Sequence, residues 1–133
     1  MSAANIALVQ SLYGAFGRGD IATIIAALSP NVDWRVNGRP EDYPLFGPRK
    51  GPNAVQDFFR RVAEMHDFSE FSPREFHAVD DKVIVIGKYA GTVKKSRRVF
   101  ATDWVHVFAL RDGKVAGFQE FTDTAQFAGA DRG

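Results

Sequence analysis

His106 and Glu120 stand on either side of an Asp112-Gly113 dipeptide, in the segment DWVHVFALRDGKVAGFQEFTD that runs from Asp103 to Asp123. Asp-Gly between two alternating apolar runs is a strong hairpin signal, because both residues tolerate the positive φ of a type I′ turn. The two runs therefore read as paired strands, each carrying polar groups that a purely structural hairpin does not need. A carboxylate beside a histidine favours its charged form and fixes its tautomer, which suits general acid–base work. Pairing Arg111 with Lys114 and counting outward sets His106 against Gln119 and Val105 against Glu120. The two candidates are then one position out of register, and a β-bulge would align them. The competing readings are a structural histidine between Val105 and Val107, and a Glu120 paired with an arginine such as Arg35. Asp123 reads as a strand-end turn or cap, and Asp103 falls on the opposite strand face from Trp104 and His106.

The residues around this pair are unusually aromatic: twelve Phe, three Tyr and two Trp in 133 residues. Such a load fills a core, and it equally suits a cavity for a flat or greasy ligand. Trp34, Tyr43, Phe46, Phe59, Trp104 and Phe118 are the candidate lining residues, each of which core packing would also explain. Tyr13, on the first helix, could add a phenolic hydrogen bond.

Composition removes several classes of function. Seventeen basic and sixteen acidic residues leave a formal net charge of +1, which makes no electrostatic case for nucleic acid or an anionic membrane. The basic turn Lys94 to Arg98 lacks interleaved aromatics and reads as a solvated hairpin tip. There is no cysteine, so a disulfide framework, a cysteine nucleophile and a Cys-based zinc site are excluded. His66, His77 and His106 have no metal-ligand spacing, and no glycine-rich phosphate loop, GxSxG or HExxH is present. Neither a metal nor a cofactor is expected. No apolar run is long enough to span a bilayer, and MSAANIALVQ lacks the basic start and apolar run of a signal peptide. A cytoplasmic location is the expectation.

The elements that must hold these residues follow from periodicity. Ile6, Val9, Tyr13 and Phe16 recur at helical spacing, and Gly17 and Gly19 end the helix. Asp20 caps a second, short helix that Ser29-Pro30 stops. Val32, Trp34 and Val36 alternate as a strand. The stretch NGRPEDYPLFGPRKGP reads as one long loop of the kind that forms lids. Pro52 opens a third helix with Val55, Phe58, Phe59, Val62 and Met65 on one face. Strands follow over Phe68–Val79, Lys82–Val93, Val99–Arg111 and Lys114–Asp123, joined by turns short enough to pair neighbours antiparallel. The last residues, TAQFAGADRG, read as a short turn and a loose tail. One α+β domain over residues 1–133, with helices on one face of a curved sheet, is the expectation.

This order resembles the SnoaL-like branch of the nuclear transport factor two-like superfamily, which also holds ketosteroid isomerase. The matching stretches are FGRGD (Phe16 to Asp20), NVDW (Asn31 to Trp34), GPRKGPNAVQDFF (Gly47 to Phe59), DWVHVFALRDGKV (Asp103 to Val115) and FQEFTDTA (Phe118 to Ala125). The resemblance implies a cone-shaped α+β barrel, a strongly bent sheet and about three helices around a pocket, in many relatives a homodimer through the outer sheet face. It implies a small hydrophobic molecule as partner. The catalytic positions of ketosteroid isomerase fall on Leu12, near Val36, and near Trp104 or His106, so none is kept and that reaction is not expected. The acid that SnoaL-type cyclases carry on the last strand falls on Glu120, one methylene longer than aspartate, and a neighbouring-strand histidine on His106. The activity implied is cofactor-free proton transfer on a cyclic carbonyl compound, of cyclase, isomerase or hydratase type. A non-catalytic ligand carrier or a dimerisation module of the same fold is the alternative.

Overall fold

The computed structural model describes residues 2–132. Two helices, α1 (Ser2–Gly17) and α2 (Ile21–Ala26), lead into strand β1 (Leu28–Val36). A short strand β2 (Gly47–Lys50) and helix α3 (Pro52–Met65) follow. Four long strands complete the sheet: β3 (His66–Val79), β4 (Lys82–Val93), β5 (Val99–Arg111) and β6 (Lys114–Thr122). Local chemistry accounts for the helix ends. Asp20 caps α2 by accepting from Thr23 N, and Pro52 occupies the first turn of α3, where its missing N–H costs nothing. At the β5–β6 turn Asp112 and Gly113 both have positive φ (53° and 74°), as the type I′ reading requires.

The strands form one sheet in the order β2-β1-β6-β5-β4-β3. Every neighbouring pair is antiparallel except β1 and β6, which run parallel and make the sheet mixed. The sheet is strongly curved but does not close, since β2 and β3 remain as edges. Its bending has a local cause. β3 shifts register twice against β4, once between Phe68 and Glu70 and once between Pro73 and Glu75. Each shift lies opposite a glycine of β4: Phe68 pairs with Gly91, and Pro73 with Gly87. A Cβ at Gly87 would overlap the Trp104 ring and the Ser72 carbonyl, and one at Gly91 the Asp67 carbonyl and the Phe100 ring. Extra residues on one strand and missing side chains on its partner let the ribbon fold inward.

On β4 the buried residues alternate as Val83, Val85, Tyr89 and Val93, and on β5 as Phe100, Trp104, His106, Phe108 and Leu110. These side chains, with those of α1, α3 and β1, make one core on the concave side.

Three details differ from the sequence reading. α2 ends at Ala26, and β1 already begins at Leu28, so Ser29-Pro30 lies inside an irregular strand start, where β1 shifts register against β6. The Pro- and Gly-rich stretch hides β2, which pairs with β1 through Trp34↔Arg49; four residues are too few for a visible alternation. The tail is docked, not loose: after the 3₁₀ turn Thr124–Gln126, Phe127 and Ala130 are buried.

Candidate active site

The β5–β6 hairpin carries the bulge that the sequence calls for. Leu110 pairs with Val115, but Ala109 pairs with Gly117, so Ala116 is the extra residue. Beyond it His106 faces Glu120, and their side chains meet on the concave side with Nε2 and Oε1 2.7 Å apart. The pair is withdrawn from water, with the His106 side chain 5% and the Glu120 side chain 15% exposed. Among the described residues no arginine pairs with Glu120; Arg35 lies on β1, its backbone paired with Gln119 and Pro48.

Tyr13 extends the pair. Its hydroxyl reaches from α1 to within 2.6 Å of His106 Nδ1. Burial, reinforced by the Glu120 charge, pushes the phenol pKa well above its usual value, so the phenol stays protonated. A phenol donating to Nδ1 places the imidazole proton on Nε2, from which it is donated to Glu120. The other carboxylate oxygen is reached from β4: Tyr89 Oη lies 3.3 Å from Glu120 Oε2 and 2.8 Å from Thr122 Oγ1. The Tyr89 pKa is also raised, chiefly by burial and then by Glu120. The carboxylate is thus held at both oxygens, from β5 by His106 and from β4 by Tyr89, with Tyr13 of α1 behind His106.

Glu120 and His106 line a cavity of about 100 Å³ under the concave sheet face, together with Tyr13, Trp34, Tyr43, Phe46, Phe59 and Phe118. Leu12, Phe16, Phe58, Phe68, Phe71, Phe108 and Phe127 complete most of the apolar wall. Among the described residues Glu120 is the one carboxylate of the lining, and no Lys or Arg joins it. Trp104 is the sequence candidate that does not reach the cavity. It is fully buried behind His106, stacked on its ring at 3.8 Å, and packed over Gly87. Trp34 does reach it, stacked at 4.0 Å on Phe118 across the parallel β1–β6 pairing.

Tyr43 brings a second polar contact. It is carried by the loop between β1 and β2, and its hydroxyl lies 2.7 Å from His66 Nε2 at the α3–β3 junction. Burial pushes the Tyr43 phenol pKa up, with a smaller contribution from Asp131. Burial also pushes the His66 pKa down to about 4, against a weaker upward pull from Glu120. His66 and Tyr89 were absent from the sequence candidates. Tyr89 has a visible signal, the inward parity of its strand, whereas His66 sits at a junction where no period assigns it a side.

The loop is clamped shut over this end. Arg49 donates to the carbonyls of Leu45 and Pro44, both at 3.0 Å, while its guanidinium lies 4.8 Å above the Phe58 ring. From the tail, Gly129 N donates to the Asp42 carbonyl at 2.8 Å, and Phe127 packs against Tyr43.

The bent mixed sheet with three helices packed on it places the chain in a fold class, the NTF2-like α+β proteins. Within that class the chain belongs to the SnoaL-like domain family, whose profile matches residues 9–118. It is similar to an NTF2-like protein from Burkholderia xenovorans LB400, at 31% identity over 99% of this chain and 98% of that one, with a TM-score of 0.89. It is also similar to TerC, solved together with polyporic acid, at 26% identity over 98% of this chain and 99% of that one, with a TM-score of 0.83. A protein with a cystatin-like fold from Xanthomonas campestris, 22% identical over 92% of this chain and 93% of that one, shares the fold with a TM-score of 0.80. No curated protein matches the chain.

Proposed function

We propose that this protein is a small enzyme, acting without a cofactor, that moves a proton on a hydrophobic cyclic carbonyl compound. The observation that carries the reading is a carboxylate, Glu120, held at both oxygens inside a cavity walled mainly by apolar rings. Glu120 takes the proton from a carbon next to the carbonyl. The C–H bond breaks, its electron pair moves into the carbonyl group, and the carboxyl returns the proton to the same or another carbon. His106 orients the carboxylate, and Tyr13 fixes the tautomer of His106. Trp34, Phe59 and Phe118 hold the ring of the substrate. The co-crystallisation of TerC with polyporic acid supports an organic ring compound as the ligand.

Glu120→Gln tests the assignment. Exchange of the α-hydrogens of a cyclic ketone for deuterium, followed by NMR, should be catalysed by the native protein and lost in the variant, with the fold kept. Unchanged exchange in the variant removes Glu120 from the mechanism. A carrier without chemistry is the second reading, favoured by the mutual satisfaction of Tyr13, His106 and Glu120; it predicts that ligand binds and leaves unaltered.

A further inference from the structure

The proton inventory of the Tyr43–His66 pair leaves a donor to spare. With its pKa held near 4 by burial, His66 is neutral at ordinary pH and carries one N–H. The Tyr43 phenol, held well above its usual pKa, carries one O–H. Their mutual bond at 2.7 Å uses one of these two protons. If the phenol donates to Nε2, the imidazole N–H on Nδ1 is left over; if Nε2–H donates, the phenol O–H is left over. One donor is therefore unspent in either tautomer, and among the described residues no side-chain hydrogen bond takes it up. The relay at Glu120 is the opposite case. There each proton of Tyr13 and His106 is committed, and the end of the chain is a carboxylate that only accepts.

Both pairs line the same cavity. Between them along its wall stands Phe68, with ring centroids 5.6 Å from His66 and 5.9 Å from Tyr89, the residue that hydrogen-bonds Glu120. Two polar stations of opposite character thus face one apolar space. Tyr43 is buried and His66 half-buried, and setting a phenol and an imidazole among apolar rings in place of two hydrocarbon side chains costs desolvation that their single mutual bond offsets only in part. The cost is explained if the left-over donor has a task.

We propose that Tyr43 and His66 form a second ligand-binding station, which donates a hydrogen bond to an oxygen acceptor of a neutral ring compound in the cavity. The proposal rests on the reading of the cavity as a ligand site and adds the donor that would read the ligand's oxygen. With no Lys or Arg in the described lining and one carboxylate already present, an anionic oxygen is disfavoured and a ketone or aldehyde oxygen fits.

Cyclohexanone and methylenecyclohexane have nearly the same shape and differ in C=O against C=CH₂. Calorimetry on the full chain should show both binding, with cyclohexanone favoured about tenfold, the value of one net hydrogen bond. The double variant Tyr43→Phe with His66→Leu should bind methylenecyclohexane as before and lose the preference. Either single variant should keep part of it, because one donor remains. Imidazole ¹⁵N spectra of the native protein give a second readout that needs no variant: the His66 nitrogens should shift with cyclohexanone and not with methylenecyclohexane. Equal affinity for the two probes overturns the proposal, as does a preference that survives the double variant, or one that moves the His106 signals and leaves His66 still. Failure of both probes to bind overturns the ligand-site reading itself, and this proposal with it.

Discussion

The Tyr13 hydroxyl acts on Glu120 only through His106, and removing it isolates that effect. In Tyr13→Phe the imidazole keeps its bond to Glu120 but loses its Nδ1 partner, and with it one of the two bonds that hold the ring in place. Deuterium exchange on a cyclic ketone should slow by about 10- to 100-fold, the usual effect of losing an orienting partner. Unfolding free energy should fall by only about 1 kcal/mol for the lost hydrogen bond. A rate that tracks the stability loss alone would make Tyr13 structural. His66 makes a different prediction, read in stability. Its folded pKa is depressed from 6.5 to about 4. As pH falls below 6.5 the unfolded chain takes up a proton that the folded chain refuses until about pH 4. Stability is therefore complete above pH 6.5 and declines between 6.5 and 4, by on the order of 3 kcal/mol in all. Urea titrations across that window should show the decline, and His66→Leu should flatten it. At this scale the sequence exposed His106 and Glu120 as polar residues of one hairpin, while its simple count left them one position out of register and only the bulge at Ala116 brings them together. It also exposed Tyr13, because helical spacing turns it inward. Trp104 shares the parity of His106 yet stands behind it, a matter of rotamer and of the space over Gly87. Residue type records neither.

At the scale of elements the curvature of the sheet decides whether a cavity exists. Gly87→Ala would press a methyl group into the Trp104 ring and the Ser72 carbonyl. The second of these is backbone and cannot swing aside. A loss of about 1–3 kcal/mol is expected, as for overpacked cores, measured by urea unfolding. An unchanged midpoint would mean that β3 yields there. Most elements were legible from the chain: three helices, four long strands and their turns follow from periodicity and capping. What stayed hidden has physical reasons. β2 has four residues and no alternation of its own, and it exists only because β1 offers an edge. The tail is short and small-residued, and its docking depends on Phe127 finding the rings of Tyr43 and Phe100. The bulge at Ala116 was demanded by the pairing of His106 with Glu120, but nothing in the residues Lys114 to Gly117 marks its place.

At the scale of the whole molecule, the outer face of the sheet remains. Phe121 is 40% exposed there, opposite Val105 on β5. We propose this face as the contact of a homodimer, as the resemblance implies. Phe121→Lys should turn a dimer into a monomer in sedimentation equilibrium while leaving ligand uptake intact; a native monomer, or a dimer indifferent to the change, would remove the face from assembly. The topology also has a consequence for biosynthesis. β1 finds its neighbour in β6, far along the chain, and Val36 is paired with Glu120. A nascent chain that has emerged only as far as β5 holds the β1–β2 pair and the β3–β4–β5 meander as two unjoined pieces of sheet, with the apolar rings of the concave face open to solvent or to a chaperone. The Glu120 carboxylate arrives with the same strand that joins the two halves of the sheet. Ribosome-bound fragments of this protein therefore lack a complete cavity until that strand is released, and their exposure to aggregation is set by how quickly translation covers the last stretch.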